Sequence, residues 1–149
     1  MDKGQVAEFV FGDLFGMVRF LVDGNRNMPL EGDTRFKEVK KNYGAGIELR
    51  GKKIGIIGFG RIGRLVTRMM IQKTGPGNYF RLRAIVIRKA SEDDIYKRAS
   101  LLLRDSVHGP FDGTVRVDEE NSLLVINGNP VKIIYASKPE DVKYSDYGI

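Results

Sequence analysis

The stretch Ile54-Gly55-Ile56-Ile57-Gly58-Phe59-Gly60-Arg61-Ile62-Gly63-Arg64 runs from an apolar segment through a glycine triplet into a helix-like pattern. A nucleotide diphosphate needs that order. A buried strand would deliver the chain to a tight turn at Gly58. Gly60, one residue past Phe59, has no Cβ to keep a pyrophosphate off the backbone, and Gly63 lets a following helix pack close to the strand. The N–H groups of the first helical turn, around Arg61, Ile62 and Gly63, then face the anion with the helix dipole behind them. Any glycine-containing loop can match G-x-G-x-x-G by chance. The strand before it and the helix after it are what make Gly58, Phe59, Gly60, Arg61, Ile62 and Gly63 candidates for phosphate contact.

Working outward, Lys52 to Ile57 is apolar without alternation at its core, as in a strand covered on both faces. A helix from about Arg61 to Lys73 places Ile62, Val66, Met69 and Met70 toward the sheet, and Thr74-Gly75-Pro76-Gly77-Asn78 stops it. Leu82 to Ile87 is a second, β-branched strand, so the strand-helix-strand unit predicts a parallel pair with a right-handed crossover. Asp93 to Leu103 reads as another helix. Thr114 to Val117 and Leu123 to Ile126 read as a hairpin, and Val131 to Tyr135 as a last strand before a short turn at Pro139 to Val142. Upstream, Val6 to Asp23 has near-helical apolar spacing over much of its circumference. Gly24-Asn25 and Pro29 are expected to end that helix, leaving a polar connector to Gly51. The expected fold is α/β, half of a doubly wound (Rossmann) parallel sheet with an antiparallel hairpin and a leading N-terminal helix. Residues 1–50 would form the helix and connector, and 51–149 a partial dinucleotide-binding domain.

At 149 residues the chain is long enough to bury a continuous core without staples. It has no cysteine, which removes disulfides, thiolate metal sites and a cysteine nucleophile together. No apolar run reaches the length of a membrane span, and Met1-Asp2-Lys3-Gly4 lacks signal-peptide grammar, so a cytoplasmic protein is expected. The formal charge is +6. Arg61, Arg64, Arg68, Arg81, Arg83, Arg88 and Lys89 gather around the glycine loop and the next strand, where a phosphate-bearing ligand would sit. Nucleic-acid binding would call for basic residues interleaved with exposed aromatics or a recognition-helix pattern, and the sequence has neither.

The end of the second strand decides the cofactor. A carboxylate there accepts from the ribose 2′-OH, whereas an arginine accommodates a 2′-phosphate. Arg88 and Lys89 occupy the place, with Ser91 a possible further donor. NADP is therefore expected over NAD.

From Gly55 to the end, the sequence resembles the N-terminal segment of phosphorylating glyceraldehyde-3-phosphate dehydrogenase. The likeness is carried by Gly58-Phe59-Gly60-Arg61-Ile62-Gly63-Arg64, Asp105-Ser106-Val107-His108-Gly109, Phe111-Asp112-Gly113-Thr114-Val115 and Val125-Ile126-Asn127-Gly128-Asn129-Pro130. Leu82-Arg83-Ala84-Ile85-Val86-Ile87-Arg88-Lys89 resembles the long, N-terminally extended bacterial branch of that family. The earlier stretches Val6-Ala7-Glu8-Phe9-Val10-Phe11, Gly24-Asn25-Arg26-Asn27-Met28-Pro29-Leu30-Glu31-Gly32-Asp33 and Gly46-Ile47-Glu48-Leu49-Arg50-Gly51-Lys52 resemble D-3-phosphoglycerate dehydrogenase. The two likenesses, over about 4–64 and 55–149, meet at the glycine motif that both families share, which implies a chimera joined within about Gly55 to Arg64. Both families transfer hydride to or from a nicotinamide. The catalytic Cys and His implied by the first, and the Arg, Glu and His implied by the second, have no counterpart here, so no catalytic residue is assigned. Ile57 and Ser137 depart from the first family, which usually has Asn and often a cofactor-contacting Arg at those places. Arg88 and Lys89 stand where both usually carry Asp.

Asp105, Ser106 and His108 lie too close in sequence to converge as a hydrolytic triad, and loop hydrogen bonding is the expected role. Glu92-Asp93-Asp94 reads as a helix-start carboxylate run rather than a metal site. An open strand edge and an over-apolar leading helix predict a homodimer or higher oligomer.

Overall fold

In the computed structural model, which describes residues 3–74, 80–106 and 109–149, the chain divides into two compact units, Met1–Leu49 and Arg50–Ile149. The first holds helices α1 (Lys3–Val18) and α2 (Leu21–Gly44). The single leading helix expected over Val6 to Asp23 is interrupted at Phe20, whose backbone is left-handed at φ 54.

The connector expected after Gly24 is a correction, because α2 runs through it. Pro29 removes one helical hydrogen bond, yet ion pairs from Arg35 to Glu31 at 3.0 Å and to Glu38 at 2.5 Å support the following turns. At Arg35 the backbone leaves helical geometry (φ −128, ψ 29). Asn27 Nδ2 donates to Tyr43 Oη at 2.6 Å. In a straight helix those residues would stand about 24 Å apart, so α2 is two limbs folded back at a kink. The Ile47 N–H donates to Val18 O at 2.6 Å and closes the loop onto the α1 end.

The second unit contains β1 (Lys52–Ile57), α3 (Arg61–Thr74), β2 (Phe80–Ile87), α4 (Asp94–Leu103), the short pair β3 (Arg104–Asp105) and β4 (Gly109–Pro110), then β5 (Val115–Asp118), β6 (Leu123–Ile126) and β7 (Asn129–Tyr135). The main sheet has the order β1-β2-β7-β6-β5. β1, β2 and β7 are parallel, and β7-β6-β5 continue antiparallel. This is the expected α/β arrangement of three parallel strands and a hairpin. From Gly75 on, the expected helix stop lies outside the described residues.

Because β1, β2 and β7 succeed one another in one direction, right-handed crossovers put α3 and α4 on the same face. Arg68 ties the two together, its Nε donating to Leu102 O at 3.1 Å. The opposite face of the sheet, with Ala84, Val86 and Ile134, is covered by Val142, Tyr144, Tyr147 and Ile149. β2 is thus enclosed on both sides, which is why Leu82 and Ala84 through Ile87 are all buried.

Candidate functional site

Gly58 directly follows β1 at φ +92, a conformation that favours glycine, and its N–H donates to Val86 O at 2.8 Å. Phe59 is buried, anchoring the turn from beneath. A Cβ on Gly60 would meet no atom within 4 Å, so the backbone there is open to a ligand. A Cβ on Gly63 would overlap the Gly58 carbonyl oxygen, which makes Gly63 the point of closest helix-to-strand approach. The first helical bond runs from Arg64 N–H to Gly60 O at 3.0 Å. The N–H groups of Arg61, Ile62 and Gly63 precede it and have no acceptor within the helix.

Beside this turn, at the carboxyl ends of the three parallel strands, is a cleft of about 330 Å³. Gly58 and Phe59 form one wall, Arg88 and Arg98 the basic part, and Ala136, Ser137 and Pro139 the far side. In open α/β sheets this end of the strands is where ligands bind. Arg88 is exposed, and its Nε donates to Ser137 O at 3.1 Å, bridging the ends of β2 and β7. Lys89 stands with Nζ 5.9 Å from the Tyr135 ring centroid, outside the cleft lining. Ser91 is exposed and outside it too; its carbonyl accepts from Asp94 N–H at 3.4 Å.

Two arginines counted toward a phosphate site are used internally. Arg64 donates to Asp105 Oδ2 through Nε at 2.9 Å and Nη2 at 2.6 Å, with the Asp105 side chain fully buried. Arg68 donates to the carbonyls of Leu102 and Gly109 and lies over the Phe111 ring at 5.6 Å. Burial pulls its guanidinium below the ordinary value, with Asp105 acting in the opposite sense. Ile62, expected to face the sheet, is exposed instead, because the buried stripe of α3 runs through Arg64, Thr67 and Arg68 with Val66 and Met70. Asp105 is thus committed to Arg64, Ser106 is exposed, and His108 lies outside the described residues.

Arg98 is the cleft residue that sequence reasoning missed. It is one turn into α4, and its Nε pairs with buried Asp94 Oδ2 at 3.2 Å. Nothing in the linear pattern separates it from other solvated lysines and arginines on a helix. Asp94, read as part of a helix-start run, is buried, whereas Glu92 and Asp93 are exposed. Tyr135, next to this pair, has its phenol pushed up, first by burial and then by Asp94.

Residues 52–149 match the model of the family described as glyceraldehyde 3-phosphate dehydrogenase, NAD binding domain. A glyceraldehyde-3-phosphate dehydrogenase-like protein of Pseudomonas aeruginosa (strain UCBPP-PA14) is 58% identical over 99 residues, which is 66% of this chain and 22% of that protein. The glyceraldehyde-3-phosphate dehydrogenase of Hypocrea atroviridis is 34% identical over 96 residues, 64% of this chain and 26% of the relative. Glyceraldehyde-3-phosphate dehydrogenase A of Escherichia coli (strain K12) is 33% identical over 97 residues, again 26% of its length. The chain therefore spans about a quarter of the curated relatives it matches. With the glycine turn, the parallel sheet and a family match across residues 52–149, well over half of the chain, the chain belongs to the glyceraldehyde-3-phosphate dehydrogenase NAD-binding-domain family.

Proposed function

We propose that Arg50–Ile149 binds the adenosine diphosphate part of a nicotinamide dinucleotide, NADP in preference to NAD, as the cofactor-binding portion of an oxidoreductase. The observation that carries this reading is the cleft at the strand ends, lined by Gly58 and Phe59 of the glycine turn on one side and Arg88 on the other, with the open backbone of Gly60 and the helix start at Arg61 to Gly63 following directly in the chain. The pyrophosphate would take the N–H groups of that helix start, with Phe59 holding the turn in place. Arg88 would meet the 2′-phosphate, with Lys89 and Ser91 as further donors along the same loop. Titrating NADP, NAD and 2′-phospho-ADP-ribose into the purified chain by calorimetry tests it. NAD binding as tightly as NADP removes the preference, and no binding of any of the three removes the cofactor reading.

The 149 residues contain no cysteine to act as the nucleophile the family resemblance implies. We therefore expect them to be catalytically incomplete alone; glyceraldehyde-3-phosphate-dependent reduction of either nicotinamide by the chain would refute this. For the first unit, we infer descent from D-3-phosphoglycerate dehydrogenase-like sequence, joined near the shared glycine motif. Sequencing genes of the long bacterial branch tests it. An extension there carrying Gly24-Asn25-Arg26-Asn27-Met28-Pro29 would make this one natural lineage.

A second reading, a self-associating structural module, is favoured by the exposure of Phe9, Met17, Val22 and Leu30 on the helices of the first unit. The two readings are compatible. We expect a homodimer or higher oligomer in the cytoplasm.

A further inference from the structure

The two guanidiniums of the cleft are each held by a single nitrogen. Arg88 is pinned through Nε to Ser137 O, and Arg98 through Nε to Asp94 Oδ2. Among the described residues, no hydrogen bond engages the Nη atoms of either side chain. Arg64 and Arg68, close by in sequence, have their forks filled by Asp105 and by main-chain carbonyls. The cleft is thus lined by two anchored guanidiniums with their outer donors unused, one from the end of β2 and one from α4. Anchoring matters because a fork already fixed in place loses less side-chain entropy when it takes a ligand. Asp94 is fully buried and engages the Nε edge of Arg98, so its charge orients the fork.

We propose that Arg98 is a specificity-determining residue of this cleft, its Nη donors joining those of Arg88 around the 2′-phosphate of NADP. The inference rests on the cofactor reading above and adds a second, non-adjacent cation to it. A phosphomonoester carries about −1.5 to −2 charge at neutral pH and three acceptor oxygens, more than one arginine fork satisfies. Two forks approaching from different elements would fill the remaining sites, and ADP-ribose, with only a 2′-hydroxyl, would gain little from the second.

The readout is selectivity, the ratio of the dissociation constant of ADP-ribose to that of 2′-phospho-ADP-ribose, measured by calorimetry on the 149-residue chain. Arg98→Lys keeps a cation beside Asp94 but removes the planar fork. The double substitution Arg98→Met with Asp94→Asn removes the pair together, so that no buried carboxylate is left unpaired. Both should lower the selectivity by about tenfold, the effect of losing hydrogen bonds to a charged group. A merely structural Arg98 would weaken both ligands alike and leave the ratio unchanged. If the wild-type chain prefers 2′-phospho-ADP-ribose and Arg98→Lys keeps that preference in full, the role of Arg98 is overturned. If the wild-type chain shows no preference, the NADP reading itself falls, which is a different result.

Discussion

A Cβ at Gly60 would meet open space, while at Gly63 it would run into the Gly58 carbonyl oxygen. The two substitutions therefore separate binding from folding. Gly60→Ala should leave the thermal midpoint near that of the wild type while weakening dinucleotide binding, because the methyl group occupies the side a pyrophosphate would approach. Gly63→Ala should lower stability by about 1–3 kcal/mol, as overpacking does, and urea unfolding would measure it. Equal stability losses at both positions would contradict this picture of the turn. At Asp118 the carboxyl is held below its ordinary value, first by the hydrogen bond from Asn121 Nδ2 at 2.9 Å and then by the Asn121 N–H at 3.1 Å. A group whose folded pKa is depressed contributes stability above its unfolded pKa and loses it as pH falls through the folded value. The Asn121 amide should thus keep full hydrogen-exchange protection at neutral pH and begin to lose it below about pH 4. Asp118→Asn should abolish that dependence.

Among elements, α3 is held to the end of α4 and to β3 by polar groups buried beside the core. The Arg64 guanidinium and the Asp105 carboxylate are both withdrawn from water, so deleting either partner strands a buried charge. Asp105→Ala should cost about 3–5 kcal/mol of stability, whereas Arg64→Met with Asp105→Leu should recover much of it; urea unfolding of the two variants distinguishes them. The same contact explains an error of sequence reasoning at this scale. Arg64 and Arg68 look like phosphate ligands because they follow the glycine motif. Whether an arginine meets a ligand or a main-chain carbonyl depends on what a second helix brings to it, and Leu102 lies 34 residues away. α2 was misread for a related reason. Gly24, Pro29 and Gly32 are local breaking signals, yet the chain stays helical through them and kinks at Arg35 instead, with Asn27 and Tyr43 brought together across the kink.

For the whole molecule, two features call for a covering surface. Among the described residues β1 has a strand on one side only, and the first unit exposes apolar side chains with few charges between them along α1. An unpaired edge and an uncovered apolar helix both favour association. Light scattering at micromolar concentration should give at least twice the monomer mass, and Phe9→Lys with Met17→Lys should reduce it if the helices form the contact. A monomeric wild-type chain would refute self-association.

The sequence by itself determined the strand, glycine turn and helix at residues 52–74, the parallel order that follows, and the hairpin, because each is written in local periodicity and in backbone conformations that only certain residues adopt. It also placed Arg88 at the end of β2. Only the tertiary structure decided which cations remain available to a ligand. Arg64 and Arg68 turned inward because Asp105 and the carbonyls of Leu102 and Gly109 were packed against them, and Arg98 joined the cleft because a buried Asp94 holds its Nε. Those outcomes are set by contacts between residues distant in sequence, and local pattern carries no record of them.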